Sequence, residues 1–172
     1  MTQKRTQLSL FIAPPYSDTI ECIRRLFNPL QYALIPAHVT LCREDELIDI
    51  EKIFRKLEEL CLAPISIDFG DVIRFSDGEG VLIPAIGDCA PFQKLRENIL
   101  QGMIEKPRRQ DPHITLMHPR NATCTDSIFD EIKGNSFPGK IVFDKISLIE
   151  QVPGMRWERI QEFECSRAND SF

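Results

Sequence analysis

A chain of 172 residues with 42% hydrophobic side chains is long enough to bury one real core, either as a single domain or as two small lobes packed together. Its formal net charge of −5 argues against a protein that coats nucleic acid nonspecifically, because such binding needs many phosphate-neutralising Lys and Arg side chains; a small local basic site stays compatible with it. No run is long enough to span a membrane, and the apolar "LSLFIA" near the amino terminus is too short for the core of a signal peptide and stops at Pro14-Pro15.

In chain order, "TQLSLFIA" (Thr6 to Ala13) has the β-rich character of a strand, closed by the two prolines. A helix is predicted through "DTIECIRRLFN", where Ser17 or Asp18 can cap and Ile20, Ile23, Leu26 and Phe27 recur at helical spacing. "HVTLC" reads as a short strand. "EDELIDIEKIFRKLEELC" reads as a long amphipathic helix with Leu47, Ile50, Phe54, Leu57 and Leu60 on one face. "PISIDFGDVIRF" and "GVLIPAIG" are two extended runs joined by the turn-forming "SDGEG", a predicted hairpin. A helix in "APFQKLRENILQGMI" leads to "EKPRRQDPH", whose Pro107 and Pro112 force extended or turning backbone. A further helix near Ser127 to Lys133 precedes the strands "GKIVFDKISLIEQV" and "RWERIQEFEC", turned by "PGM". The six cysteines have no paired short spacing and read as reduced, mostly buried thiols of a cytoplasmic protein.

The two halves rhyme. Each has a strand carrying His-X-Thr, a helix close after it, and then paired strands. The expected class is α+β and bilobal: two pseudo-symmetric antiparallel sheets with helices on their outer sides and a central cleft, residues 1–172 forming one domain of two intertwined lobes.

The shared phrase carries the chemistry. "PAHVTL" (Pro36 to Leu41) and "DPHITLMHP" (Asp111 to Pro119) contain all three histidines of the chain, and share the core His-X-Thr-Leu at His38 and His113. On a strand, positions i and i+2 share a face, so His38 projects with Thr40 and His113 with Thr115, while Val39, Leu41, Ile114 and Leu116 point into a core. A wet outer strand face also carries His and Thr, so either phrase alone is a weak signal; the pair is the specific one. Two facing imidazoles suit phosphodiester chemistry: a neutral ring takes a proton from the attacking oxygen, and a protonated ring supplies one to the leaving oxygen. The threonine hydroxyls can donate to nonbridging phosphate oxygens.

"HVTL" and "HITL", in a chain of this length opening with a strand such as "LSLFIA", resemble the paired motifs of the 2H phosphoesterase superfamily, most closely its bacterial 2′-5′ RNA ligase-like branch. The resemblance runs from Leu8 to about Phe163. It implies a bilobal fold with a central cleft, His38 and His113 as catalytic acid and base, Thr40 and Thr115 gripping phosphate, and no metal or other cofactor. The substrates it implies are nucleotide or RNA 2′,3′-cyclic phosphates or 2′-5′ linkages, with reversible 2′-5′ ligation as a related activity. A nucleotide or RNA end is then the expected partner of a monomeric cytoplasmic protein with no membrane attachment.

Flanking cations are candidates for substrate binding. Arg43 follows the first motif and Arg120 the second, while Arg108 and Arg109 lie in the basic "EKPRRQ" just upstream of the second; all four are equally readable as solvated charges. Tyr32, Phe75 and Trp157 are candidate base stackers among aromatics that mostly serve the core. His118, five positions from His113, falls on the opposite face of an uninterrupted strand and reads as a loop histidine. Two other classes compete. A metal hydrolase built on Asp111, His113 and His118 would need about three converging ligands, which this spacing does not provide. A noncatalytic nucleotide- or RNA-binding module would keep the cleft, but should have lost at least one of the four motif residues.

Overall fold

The computed structural model describes residues 3–166. Nine strands and five helices are described: β1 (Arg5–Phe11), α1 (Ser17–Phe27), α2 (Pro29–Leu34), β2 (His38–Cys42), α3 (Ile50–Glu59), β3 (Ile65–Phe69), β4 (Ile73–Arg74), β5 (Val81–Ile86), α4 (Ala90–Leu100), β6 (His113–Met117), α5 (Asp126–Lys133), β7 (Lys140–Phe143), β8 (Lys145–Gln151) and β9 (Glu158–Glu164). They form two antiparallel sheets. One has the order β2-β1-β8-β9; the other runs β4-β5-β3-β7, with β6 paired to β5.

The sheets do not divide the chain into a first and a second half. The first takes two strands from each end of the described chain, and the second takes everything between. Two predicted runs therefore break. "GKIVFDKISLIEQV" splits at Asp144, with β7 in one sheet and β8 in the other. "PISIDFGDVIRF" splits after Phe69 into β3 and β4, both on β5: β3 pairs near its end and β4 near its start. Gly70 lies at this break, where an added Cβ would sit 2.7 Å from the Ile86 side chain, so the close crossing of the two chains needs a residue without one.

Local chemistry also moved the helix ends. The α3 helix begins at Ile50 rather than near Glu44, because Asp49 accepts a bond from the Lys52 amide as an N-cap and the preceding residues make turns (Glu46 N to Arg43 O, 2.9 Å). In α1 the cap position is Tyr16, with no side-chain cap bond, and Ser17 and Asp18 already lie in the first turn. The short α2, opening on Pro29 at N1, is an element the periodicity did not signal. Of the six cysteines, only Cys42 and Cys124 are buried; Cys22 and Cys61 are exposed, and all are free thiols.

The core is one apolar cluster running through both sheets, from Leu8, Leu10, Val39 and Leu41 to Ile83, Ile114 and Leu116. Helix α1 packs against β6 and α4 against β2, so each helix that precedes a histidine strand leans on the other one. A buried ion pair anchors this crossing. Arg96 of α4, 1% exposed, donates to the Glu46 carboxylate at 2.7 and 3.1 Å, to the Leu41 carbonyl at the end of β2, and to the Arg108 carbonyl at 3.0 Å. Burial pushes the Glu46 carboxyl up, but Arg96, the Arg43 amide and Arg108 outweigh it and hold it below its ordinary value.

Glu46→Gln leaves the buried guanidinium without its counter-charge and should lower the unfolding free energy by about 3–5 kcal/mol in urea titrations. Because the folded carboxyl titrates below its ordinary value of 4.5, its stabilisation is complete above that pH and is lost as pH falls further. The wild type should therefore weaken more steeply in acid than Glu46→Gln.

Candidate active site

The two histidine strands are built alike. Each starts at its histidine, runs five residues, and alternates partly exposed with buried positions: Val39, Leu41, Ile114 and Leu116 are all at most 1% exposed. Each pairs antiparallel with one partner through the same register: Phe11 lies opposite His38 and Leu10 opposite Val39, as Pro84 lies opposite His113 and Ile83 opposite Ile114. A register shift occurs at corresponding places, between Leu8 and Ser9 and between Val81 and Leu82. Just before each histidine, the ladder closes with one more bond, Ile12 N to Ala37 O at 3.1 Å and Ala85 N to Pro112 O at 2.9 Å.

β2 and β6 lie side by side, and a cavity of about 370 Å³ is lined by residues of both sheets, including His38, Thr40, His113 and Thr115. The rings are tethered alike. His38 Nδ1 sits 2.8 Å from the Pro36 carbonyl and His113 Nδ1 2.9 Å from the Asp111 carbonyl, each two residues upstream. A carbonyl only accepts, so Nδ1 carries the hydrogen in both, and Nε2 is the nitrogen left for a substrate. An aromatic ring packs on each: Phe11 at 5.9 Å from His38, Phe75 edge-on at 5.8 Å from His113. Gly80 permits the second wall, because a Cβ there would meet Phe75 and Pro119 at 2.6 Å.

The electrostatics separate the two rings. Burial pushes the His38 pKa down to about 4, and the nearby Arg24, His113 and His118 charges push the same way against the Pro36 bond. His38 is thus held neutral at ordinary pH. Thr40 Oγ1 accepts from Gln7 Nε2 at 3.2 Å, which leaves its own hydrogen free to be donated.

Of the flanking residues named from sequence, Arg43 and Arg120 line this cavity, and neither guanidinium has an ion-pair partner among the described residues. Arg108 and Arg109 do not line it. Arg108 is bound to Asp45 and Glu46, and Arg109 lies 3.4 Å from Asp111. Phe75 and Trp157 line the cavity, whereas Tyr32 does not. His118 sits in the turn after β6, as its spacing suggested, yet it lines the same cavity. Its Nδ1 accepts from the Arg120 amide, and burial lowers its pKa. Among the described residues no three His, Cys, Asp or Glu side chains group as metal ligands, and no helix is long and apolar enough to cross a membrane.

Sequence reasoning passed over Arg5, Gln7 and Arg24. The first two carried a signal: Arg5, Gln7 and Ser9 alternate along β1 and so share a face. Arg24 carried one too, as a cation in α1 beside the apolar Ile20 and Ile23.

The sequence model of the 2′-5′ RNA ligase superfamily matches residues 12–154. A search of curated proteins gives no match. Among solved structures, E. coli LigT complexed with NADP+ superposes with a TM-score of 0.67 at 13% identity, over 95% of this chain and 99% of LigT. LigT complexed with 3′-AMP gives 0.65 at 12%, over 95% and 99% of the two chains. The crystal structure of a phosphoesterase gives 0.64 at 15%, over 96% and 100%. At such identities these likenesses are of fold, and they agree with the α+β arrangement of two antiparallel sheets. With the match covering most of its length, the chain belongs to the 2′-5′ RNA ligase superfamily, a branch of the 2H phosphoesterases.

Proposed function

We propose that this protein is a metal-independent phosphoesterase acting on a nucleotide or RNA 2′,3′-cyclic phosphate or 2′-5′ phosphodiester. The observation that carries this reading is the matched pair of imidazoles, each tied through Nδ1 to its own upstream carbonyl and each lining one cavity. His38, held neutral, is the general base. Its Nε2 takes a proton from the attacking water as the water oxygen bonds to phosphorus. His113, protonated, gives its Nε2 proton to the ester oxygen as the P–O bond breaks. One water is consumed, one monoester forms, and the two rings end with their protonation states exchanged. With a ribose 5′-hydroxyl in place of water attacking a 2′,3′-cyclic phosphate, the same groups serve 2′-5′ ligation: the new P–O bond forms as the bond to the 3′-oxygen breaks, and that oxygen takes the proton from His113.

Thr40 and Thr115 donate to the nonbridging oxygens, whose charge grows in the transition state. Arg43 and Arg120 bring uncompensated positive charge to the cavity of a chain that is acidic as a whole, which favours an anionic substrate with phosphate beyond the reacting one, such as an RNA end. Phe75 and Trp157 offer faces for a base. All four motif residues come from one chain, so a monomer suffices.

The test is a panel of 2′,3′-cyclic nucleotides, 2′-5′ and 3′-5′ dinucleotides given to the purified protein in chelator, with the product phosphate position resolved. Turnover of the cyclic or 2′-5′ members is expected. Binding without turnover across the panel would replace the enzyme by a nucleotide-binding module, and activity that vanishes in chelator and returns with added metal would overturn the two-histidine mechanism. His38→Ala and His113→Ala should each lower kcat about a hundredfold to ten-thousandfold with affinity largely kept, and the double variant should be little worse than the poorer single one. Thr40→Ala and Thr115→Ala should lose about 1–3 kcal/mol each, shared between binding and rate.

The rate should follow a bell-shaped pH profile. Its acid limb belongs to loss of neutral His38, whose pKa lies near 4 rather than the ordinary 6.5, so activity should persist well below pH 6.5. A limb centred near the ordinary value, followed in kcat/KM, would show that the base is not His38.

A further inference from the structure

The backbone ahead of His38 is gripped by two side chains one helical turn apart on α1. Arg24, 2% exposed, donates from Nη2 to the Ile35 carbonyl at 2.7 Å and from Nη1 to Glu21 Oε2, also at 2.7 Å. The other oxygen of Glu21, Oε1, accepts from the Ala37 amide. Neither Ile35 O nor Ala37 N belongs to the β1–β2 ladder, whose register ends at His38. Between the two gripped groups sits Pro36. It has no amide hydrogen to offer, and its carbonyl is the one that receives His38 Nδ1–H. The plane of that carbonyl is thus set on both sides by the Glu21–Arg24 pair.

We propose that Glu21 and Arg24 are positioning residues for His38: they hold Ile35 to Ala37 so that the Pro36 carbonyl keeps the imidazole in its Nδ1–H tautomer with Nε2 toward the cavity. This rests on the reading of His38 as a proton-transfer group. The site contains its own comparison. At the other histidine, Gln93 of α4 bonds both backbone groups of Gln110, next to the Asp111 whose carbonyl receives His113 Nδ1–H. Both grips take the carbonyl three residues before the histidine; the ionic one also takes the amide just before His38, whereas the neutral one takes the amide of Gln110 itself. An ion pair with one buried partner is a costly way to hold two backbone groups, since the Arg24 guanidinium loses its hydration. It does what an amide at a single position does not: it reaches the two backbone groups on either side of the proline, which leaves the carbonyl between them little freedom to turn.

The readouts are the tautomeric state of each histidine, from long-range 1H–15N spectra of the substrate-free protein above neutral pH, and kcat and KM on whichever panel phosphate the wild type turns over. In wild type both His38 and His113 should be single Nδ1–H tautomers. Arg24→Met and Glu21→Leu should each convert His38 to a mixture of tautomers and lower kcat about tenfold to a hundredfold with KM within about twofold, leaving His113 unchanged. Gln93→Leu should do the reverse, loosening His113 and sparing His38. Thermal unfolding checks that each variant is folded; Glu21 is partly exposed, so its variant decides the matter if Arg24→Met does not fold. A folded Glu21→Leu whose His38 stays a single Nδ1–H tautomer with undiminished kcat would overturn the proposal. The spectra need no substrate, so they stand even if the wild type hydrolyses none of the panel, and failure of the grip is thereby separated from failure of the assigned reaction.

Discussion

Each histidine strand is fixed by two constraints that act on opposite sides of it. Its aliphatic residues are fully buried, which fixes the faces: a slip by one position would drive His and Thr into the core and Val or Ile into the cavity. Its histidine is tied to the carbonyl two residues upstream, which fixes the ring. Face and tautomer are therefore both decided before any substrate arrives. Preorganisation of this kind matters for proton transfer, where the reacting atoms must already lie within hydrogen-bond reach.

From these constraints comes the near-identity of the two motifs in space. Register, position of the shift, closing ladder bond and ring-to-carbonyl bond all correspond between β2 and β6, although the sheets that contain them are assembled from different parts of the chain. What differs is the electrostatic setting. Burial, and after it the nearby Arg24, lower the His38 pKa, although that arginine is paired with Glu21 as Arg96 of α4 is paired with Glu46. Of the two copies of the motif, the His38 ring is the one whose surroundings favour the neutral form that a general base needs.

Charge sorting follows the same logic. The chain is acidic, yet Arg5, Arg24, Arg43 and Arg120 line one cavity with Glu44 as the acid among them, and Arg5 is bonded to that glutamate at 2.6 Å. Two of the four arginines that sequence proximity to the motifs made attractive, Arg43 and Arg120, line the cavity, and the other two do not: Arg108 closes on Asp45 and Glu46, where it supports the anchor that joins α4 to β2. Distance along the chain does not by itself decide which cation reaches the cavity, because a short loop can turn its charges to either side.

The sequence by itself determined the four motif residues and the face each presents, since the two-residue period of a strand is local and the aliphatic partners at Val39, Leu41, Ile114 and Leu116 leave only one way to bury it. It also carried the α+β class and the presence of four of the five helices, though α3 starts six residues later than its apolar spacing suggested, because capping and apolar spacing are local as well. Only the tertiary structure decided that β7 and β8 part at Asp144 into different sheets, that Gly70 divides β3 from β4, and that Arg24 rather than Arg108 stands beside a catalytic candidate. Those outcomes depend on which distant backbone groups need partners. The Ile35 carbonyl and Ala37 amide are left over where the ladder stops, and only after α1 has packed beside them do Arg24 and Glu21 lie within reach to satisfy both.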